Sequence, residues 1–360
     1  MKKYNVAVVG ATGVVGSTFL KVLKEYEFPI NELRLLASSR SAGKEIEYDG
    51  KKIIVQELNK DSFKGIDIAL FSAGGSVSLE YCPIAAAAGA VVIDNSSAWR
   101  TDPTLPLVVP EVNPQDIRNY GIISNPNCST IQSIVPIKAL EKYGLKRINY
   151  TSYQAVSGSG MKGINDLNNT LEGKENAFYP YPIAKTCIPE IDSFLDNGYT
   201  KEEMKMVNET RKMLHNPDLA VSATCIRVPV PNSHGVSIMV ELEKDFELDE
   251  IRELFANYPG LKLVDDPKNH IYPVATMANG NDLIYVGRIR KDLYDDHRLH
   301  FFCVADNIRK GAATNAIEIL ELFIKWCKIF WLTLICCDII IILQIKKQNP
   351  YWNSSSLVLI

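Results

Sequence analysis

Short apolar runs alternate with helical patterns over the first third of the chain. The runs are rich in apolar and β-branched residues and predict four strands, at residues 4–9, 32–37, 66–71 and 90–94. Between them, residues 17–26 and 78–88 carry apolar side chains at helical spacing. Strands that are apolar almost throughout and alternate with helices form parallel sheets covered on both faces. This part of the chain therefore predicts an α/β fold with a Rossmann-type domain.

A different pattern follows in the second half of the chain. Residues 148–156 and 219–230 are rich in strand formers, and a mostly antiparallel or mixed sheet is predicted from residues 236–242, 282–290 and 300–305. Between these runs, Thr200 and Glu203 stand three residues apart in a capping-box pattern, which predicts the start of a helix. The second half therefore predicts an α+β domain.

Two glycine-rich turns are candidate ligand sites. The first, Gly10-x-x-Gly13-x-x-Gly16, joins the first strand to the first helix. This arrangement lays a pyrophosphate against a helix N-terminus, so it predicts nucleotide binding. The second turn, at residues 157–160, follows the strand at 148–156 and either lets the backbone approach a ligand or serves as an ordinary loop.

The end of the second strand bears on the choice of nucleotide. An acidic residue there usually binds the ribose 2′-hydroxyl of NAD, whereas an arginine suits the 2′-phosphate of NADP. This chain has Arg40 and Ser41 in that loop and no acid. The pattern favours NADP, and the alternative is that Arg40 is only a solvated loop charge.

Cys128 stands where a short strand, residues 121–123, turns into the helical pattern of residues 131–140. Ser129 and Thr130 are good N-cap residues, and a helix start favours negative charge. In such a position a thiol pKa can fall from about 8.5 to roughly 3.5–7.5, especially beside a histidine. The alternative is a buried structural cysteine. Of the five histidines, His234 lies in a polar loop and becomes interesting as a partner for this thiol.

Composition excludes several classes of protein. The formal net charge of -3 over 360 residues gives no footprint for nucleic acid or an acidic membrane. Eight cysteines without regular spacing indicate a reducing compartment rather than a disulfide framework, so the cytoplasm is the expected location. No metal site is expected.

Six stretches together, in this order, resemble the aspartate-β-semialdehyde dehydrogenase family. The resemblance runs from about residue 4 to about residue 322, and its most specific pieces are residues 8–13, 108–113, 125–130, 153–158, 202–205 and 223–229. It implies a Rossmann-type NADP-binding domain from residues 1–127 with 311–325. The implied catalytic and dimerisation domain covers residues 128–310. The family forms homodimers or homotetramers.

The resemblance also implies roles for individual residues. Cys128 is the nucleophile that forms a thioester, His234 the acid/base residue, and Gln154 a positioning residue for the intermediate. Arg227 binds the substrate carboxylate and Glu202 its amino group. The phosphate falls to Arg100, Asn127 and Lys205. The NADP contacts fall to Gly10, Thr12, Gly13, Val14, Val15, Arg40, Ser41, Ser157, Gly158 and Asn315. From the sequence alone, Glu202 and Lys205 also fit a surface ion pair, and Arg100 a surface charge.

The implied reaction is the reductive dephosphorylation of 4-phospho-L-aspartate to L-aspartate 4-semialdehyde, on the route to lysine, threonine and methionine, including diaminopimelate biosynthesis. One alternative is an N-acetyl-γ-glutamyl-phosphate reductase, which typically has a glycine where this chain has Asn127. Another is a catalytically silent nucleotide-binding protein, which would be expected to lose Cys128, His234 or Arg227.

Two regions depart from the family pattern. The segment at residues 167–185 is shorter than in many relatives. It resembles the dimer-contact elements of the family, so the subunit interface is expected to differ in detail. Residues 326–360 are an anomalous tail in which the apolar run 329–343 is interrupted by Asp338. As a membrane anchor this run falls short of the ~20 residues a spanning helix needs. The preferred interpretation is therefore a non-native translation product, and no membrane partner is expected.

Overall fold

The computed structural model describes residues 2–117 and 121–325. Its first six-stranded sheet is parallel throughout, with the strand order β5-β2-β1-β6-β7-β8. The strands are β1 Tyr4–Val9, β2 Ile30–Ala37, β5 Gln56–Glu57, β6 Ile68–Phe71, β7 Val91–Asp94 and β8 Ile122–Ser124. A separate hairpin is formed by β3 Glu45–Tyr48 and β4 Lys51–Ile54. Helices α1 Val14–Glu25 and α2 Gly75–Ala87 follow β1 and β6.

Both faces of this sheet are covered, as its sequence pattern predicts. Val6 and Val8 point to one face of β1 and Ala7 and Val9 to the other, and all four are fully buried. The predicted strands and helices are all present, with ends that differ by up to three residues. The α/β prediction with a Rossmann-type domain is confirmed.

The second six-stranded sheet is mixed, as predicted, and has the strand order β10-β9-β11-β14-β13-β12. Its strands are β9 Leu145–Gln154, β10 Ala220–Arg227, β11 His234–Leu242, β12 Leu261–Leu263, β13 Ile284–Lys291 and β14 Arg298–Ala305. The helices of this half are α3 Cys128–Leu140, α4 Gly160–Leu171, α5 Lys201–Met213, α6 Leu248–Asn257 and α7 Ala275–Ala278. Residues 314–325 form a further helix, α8, which follows a π-helical turn at Arg309–Ala313.

The two faces of the second sheet differ. On β11, Val236, Ile238 and Val240 are buried in the main hydrophobic core, on the face that packs against α3. The alternate residues, such as Ser237, are only partly buried. This alternation is typical of a sheet with one face on the core.

The limits of the domains, at residues 127 and 128 and at 310 and 311, stay predictions. Within residues 2–117 and 121–325, none of the helices combines the length and apolarity that crossing a bilayer requires. The tail at residues 326–360, and both interpretations of it, lie outside the described residues.

Candidate active site

The first glycine turn forms a cradle at the N-terminus of α1. Gly10 has φ +84°, and a Cβ there would collide with the backbone oxygen of Ser72, so only glycine fits. A Cβ on Gly16 would collide with the oxygen of Gly10, so α1 packs directly on the turn. Gly13 is the N-cap of α1 and no side chain caps this helix. Its first N–H groups therefore suit a phosphate, and the residues present fit a dinucleotide.

A second loop lies beside this cradle. The Thr12 hydroxyl donates a hydrogen bond to Ser41 Oγ at 3.4 Å, which joins the glycine turn to the loop after β2. Arg40 is exposed in that loop. The structure thus brings Thr12 and Ser41 together, and Arg40 precedes Ser41 in the same loop.

One cavity of about 660 Å³ runs from the glycine turn to Cys128. Its walls include most of the residues that the sequence singled out: Gly13, Val14, Val15, Arg100, Asn127, Cys128, Gln154, Ser157, Gly158, Glu202, Lys205 and Arg227. Among the described residues, His234, Asn315, Gly10, Thr12, Arg40 and Ser41 are not in its lining. Residues more than 200 positions apart therefore share one cleft.

Cys128 is the first residue of α3, and Asn127 is the N-cap. Asn127 Oδ1 accepts hydrogen bonds from the backbone N–H groups of Ser129, at 2.9 Å, and Thr130, at 3.4 Å. The sequence-based choice of Ser129 or Thr130 as the cap is therefore wrong. The helix begins at Cys128, two residues earlier than a cap at Ser129 requires, and asparagine is as good a cap as serine.

The thiol of Cys128 does not have the lowered pKa that its position at a helix start favours. Burial and, to a smaller extent, the nearby Glu202 carboxylate raise its pKa to about 11, although Arg100 and Arg227 act to lower it. Desolvation of the thiolate outweighs the two guanidinium groups in this structure. Burial therefore decides how readily the thiolate forms, and the neighbouring charges only adjust its pKa.

His234 opens β11 and is fully buried. Its Nδ1 accepts a hydrogen bond from the backbone N–H of Ala155 at 2.9 Å. Burial and then the charge of Arg227 lower the pKa of His234 well below its usual value, so the ring is neutral and carries its proton on Nε2. Nε2 has no hydrogen-bond partner within residues 2–117 and 121–325, and a Cβ on Gly158 would stand 3.2 Å from it. His234 thus presents a hydrogen-bond donor beside the cavity wall.

Arg227 ends β10 and is anchored through one arm of its fork. Its Nη1 donates to the carbonyl oxygen of Ala155 at 2.7 Å. The same nitrogen would be 2.9 Å from a Cβ on Gly158, so glycine is required for the close approach. Arg227 Nε has no hydrogen-bond partner among the described residues.

Glu202 lines the cavity and accepts hydrogen bonds from three side chains. Its carboxylate accepts hydrogen bonds from Asn127 Nδ2 at 2.8 Å, Lys205 Nζ at 3.0 Å and Gln154 Nε2 at 3.2 Å. Burial acts to raise the pKa of Glu202, but Lys205 and the amide donors outweigh it and the pKa is lowered. Because Glu202 is 5% exposed and lines the cavity, the surface ion pair is excluded. The capping box that begins α5 is confirmed, with Thr200 and Glu203 bonded in both directions.

Asn315 lies beneath the cavity rather than in its wall. It is fully buried, and its Nδ2 donates to the oxygen of Val108 at 3.1 Å and to Asn125 Oδ1 at 2.7 Å. Its Oδ1 has no hydrogen-bond partner in the described part of the chain. A direct contact between Asn315 and a cofactor stays a prediction.

Three polar residues at the site were missed by the sequence analysis. Asp192 lines the cavity with φ +68° and accepts a hydrogen bond from Lys205 Nζ at 3.1 Å. Asn307 also lines it and bonds Ser157 Oγ. Glu209 lies behind the wall on α5. Its spacing of seven residues from Glu202, which repeats one helix face, was the signal that could have found it.

Comparison with known proteins defines the class first. Residues 5–120 match the family model "Semialdehyde dehydrogenase, NAD binding domain", and residues 136–310 match "Semialdehyde dehydrogenase, dimerisation domain". The fold and the cleft are therefore those of a semialdehyde dehydrogenase, an oxidoreductase with a nicotinamide-nucleotide domain.

Individual relatives narrow the class. The chain is 55% identical over 334 residues to an aspartate-semialdehyde dehydrogenase from Aquifex aeolicus, covering 89% of this chain and 98% of the relative. A Bacillus subtilis enzyme of the same name is 46% identical, with 88% and 96% covered. The crystal structure of aspartate semialdehyde dehydrogenase II complexed with ASA from Vibrio cholerae superimposes with a TM-score of 0.86 at 45% identity, over 90% of this chain and 99% of that one.

The chain belongs to the aspartate-semialdehyde dehydrogenase family. The resemblance predicted from the six sequence stretches is thereby confirmed. Neither the N-acetyl-γ-glutamyl-phosphate reductase nor the silent nucleotide-binding protein is favoured.

Proposed function

We propose that this protein reduces 4-phospho-L-aspartate to L-aspartate 4-semialdehyde with NADPH, through a thioester on Cys128. The observation that carries this proposal is the single cavity that joins the uncapped glycine turn to Cys128. Two arginines, one lysine, one glutamate and one aspartate line the same cavity as the cysteine. These charges suit a substrate that has a carboxylate, a phosphate and an amino group.

The chain's own residues supply the covalent step. The Cys128 thiolate attacks the acyl carbon, and phosphate leaves as the carbon–oxygen bond breaks. Bound at the glycine turn, the nicotinamide cofactor would supply a hydride to the thioester carbon. The carbon–sulfur bond then breaks, which releases the aldehyde and returns the thiolate. The net reaction consumes one proton, which the departing phosphate takes up.

His234 is suited to stabilise the oxygen that becomes negative in both steps. Because Nδ1 is occupied by the Ala155 N–H, the donor available to substrate is Nε2–H. A donor directed at a developing oxyanion lowers the barrier without a full proton transfer. The predicted acid/base role is a separate one, in which the proton transferred by His234 would also leave from Nε2.

Arg227 and Glu202 are suited to the amino-acid end of the substrate. Arg227 uses Nη1 to hold its own orientation, which leaves the rest of the fork for a carboxylate. Glu202 now bonds Lys205, and a substrate ammonium could take over this contact. An N-acetylated amine carries no charge and would leave the buried carboxylate without that partner.

NADP is proposed as the preferred cofactor. The exposed Arg40 and the hydroxyls of Thr12 and Ser41 flank the adenosine side of the glycine turn. No acidic residue stands in the loop at residues 38–43 to bind a ribose 2′-hydroxyl. This donor set suits a 2′-phosphate.

A homodimer is proposed through the outer face of the second sheet. A groove of about 530 Å³ on this face is lined by apolar and aromatic side chains with two arginines, including Tyr153, Val230, Tyr272, Val274, Arg288, Arg290 and Phe302. Tyr153 is 38% exposed and packs against Phe302. The match of residues 136–310 to a dimerisation domain favours a second copy of this chain as the occupant. Light scattering should give a molar mass twice that of the chain. Tyr153→Asp should lower this mass toward that of a single chain.

The cytoplasm stays the proposed compartment. The five cysteines in the described part of the chain, Cys82, Cys128, Cys187, Cys225 and Cys303, are all free thiols. Unpaired cysteines in this number suit a reducing environment.

The test is an assay of the purified protein by NADPH absorbance in the direction of phosphorylation. Aspartate semialdehyde with phosphate and NADP should give NADPH, and omission of phosphate should remove most of the signal. N-acetylglutamate semialdehyde is the matched comparison and should be inert. NADPH formation from the acetylated substrate alone, or from neither one by a folded protein that binds NADP, would contradict the proposal.

A further inference from the structure

Glu209 joins two parts of the cavity wall from behind. It lies on α5 and is 2% exposed. One carboxylate oxygen accepts a hydrogen bond from Arg100 Nη1 at 3.1 Å, and the other accepts from the backbone N–H of Asn127 at 2.7 Å. Arg100 and Asn127 line the cavity, whereas Glu209 does not.

Helix α5 binds Arg100 through both its side chain and its backbone. While Glu209 fixes one arm of the guanidinium, Nη2 donates to the oxygen of Asn95 at 2.9 Å. One turn after Glu209, Lys212 Nζ donates to the backbone oxygens of Arg100 at 2.9 Å, Asp102 at 2.6 Å and Leu105 at 2.9 Å. The arginine is thus fixed through its side chain and through its loop.

The same helix immobilises the residue before the nucleophile. Glu209 holds the backbone N–H of Asn127, Glu202 holds its Nδ2, and its Oδ1 caps α3. These three polar groups are all engaged, the backbone oxygen of Asn127 accepts from the Ile131 N–H, and Cys128 is the next residue. A change at Glu209 would therefore move the peptide that carries the thiol as well as the guanidinium.

We propose that Glu209 is a positioning residue for the phosphate half of the cavity, which aims the Arg100 guanidinium and the Asn127–Cys128 peptide at the same anion. This inference rests on the proposed function and adds to it a residue that touches no substrate. A carboxylate is required because both partners are donors, and only a carboxylate offers two acceptor oxygens in one plane. Its charge also compensates a guanidinium that is itself buried.

Glu203 provides a matched control on the same helix. It is 7% exposed, and its carboxylate likewise accepts two hydrogen bonds, from the backbone N–H groups of Thr200 at 2.7 Å and Cys225 at 3.0 Å. It does not line the cavity. A glutamine at 203 therefore removes comparable buried bonds without touching Arg100 or Asn127.

The experiment measures phosphate binding without relying on turnover. The rate at which iodoacetamide modifies Cys128 is measured by peptide mass spectrometry at increasing phosphate concentrations. The unaltered protein, Glu209→Gln and Glu203→Gln are compared. Phosphate should slow the modification, and Glu209→Gln should raise the half-protecting concentration by about tenfold, as expected when a group that orients a ligating side chain is lost. Glu203→Gln should lower the melting temperature and leave the half-protecting concentration within about twofold.

Kinetics and a double-mutant cycle separate positioning from a structural role. Glu209→Gln should raise the KM for phosphate and lower kcat while the KM for NADP stays within about twofold. In an Arg100→Ala background the same change should have a smaller effect, because the arginine through which part of that effect acts is gone and only the bond to the Asn127 N–H remains. Glu209→Asp keeps both acceptor oxygens on a side chain that is one methylene shorter. Its KM for phosphate should lie between those of the unaltered protein and Glu209→Gln. It replaces Glu209→Gln in the experiment if that variant does not fold.

Three results would overturn the inference: no protection of Cys128 by phosphate in the unaltered protein, equal effects of Glu209→Gln and Glu203→Gln, or an undiminished effect in the Arg100→Ala background. Failure of the proposed function gives a different result. The unaltered protein would then form no NADPH from aspartate semialdehyde, while phosphate would still protect Cys128 in a manner weakened by Glu209→Gln.

Discussion

The cavity is bounded by two strand-to-helix turns that use their helix starts in opposite ways. At the glycine turn no side chain caps α1, so its first N–H groups are available to a ligand. At the cysteine turn Asn127 Oδ1 takes the N–H groups of α3, and the helix start instead fixes a side chain, the thiol of Cys128. An uncapped start binds an anion through the backbone, whereas a capped one serves as a rigid mount for a nucleophile.

The two turns also differ in the number of charged side chains around them. The glycine turn works through backbone and hydroxyl groups, with one exposed arginine nearby. The cysteine turn is surrounded by buried charged side chains, among them Glu202 and Glu209 from α5. Buried charges must be paired, so this end needs a network that the other end does not.

Cys128→Ala should separate the two ends most sharply. Turnover should fall by about 10⁴-fold or more, the size expected when a nucleophile is lost. NADP affinity, measured by fluorescence titration, should stay within about twofold. Substantial activity in this variant would sink the thioester mechanism.

The reactivity of Cys128 should reveal how strongly burial acts at the capped turn. Without phosphate, the alkylation rate should climb about tenfold per pH unit toward the pKa of about 11, because only the thiolate reacts. Peptide mass spectrometry at each pH isolates this cysteine. A plateau that begins near neutral pH would mean that the helix start and the arginines outweigh desolvation.

Arg227→Lys should weaken the substrate end alone. Arg227 bonds Ala155 through one arm of its guanidinium, and lysine could not keep this bond and also bind a carboxylate in the proposed way. The KM for aspartate semialdehyde should therefore rise by about 10²-fold. Initial rates at saturating phosphate and NADP measure this. An unchanged apparent substrate affinity would refute the carboxylate role.

Arg40→Ala should act on the cofactor end alone. Loss of one charge-assisted contact to a 2′-phosphate should reduce the preference for NADP over NAD by about tenfold. The ratio of kcat/KM for the two cofactors is the measurement, and kcat itself should hardly change. If the ratio stays the same, Arg40 is a solvated loop charge.

Asn127→Ala tests the cap of α3 through stability. Loss of the cap should lower the free energy of unfolding in urea by about 1 kcal/mol, with a further loss from the bonds to Glu202. Ser129→Ala is the matched control, because Ser129 Oγ has no hydrogen-bond partner among the described residues. Equal losses in the two variants would contradict the assignment of Asn127 as the cap of α3.

Several features of the site could be predicted because they depend on neighbours in the chain. The glycine turn follows from the spacing of Gly10, Gly13 and Gly16, and the capping box from Thr200 and Glu203. The cap of α3 was placed wrongly for the same reason. Asn127, Ser129 and Thr130 are all good caps, and the choice depends on where the helix begins.

The sequence by itself determined the α/β class, the family and the identity of the residues that meet at Cys128. The spacing of apolar residues was enough for the fold class, whereas the family and the site residues followed from the resemblance carried by six sequence stretches. Only the tertiary structure decided that Glu209 pairs with Arg100 across 109 positions, that the Cys128 pKa is raised, and that the His234 proton sits on Nε2. The reason is physical: burial and long-range hydrogen bonds set charge and protonation, and neither is written in the spacing of residues along the chain.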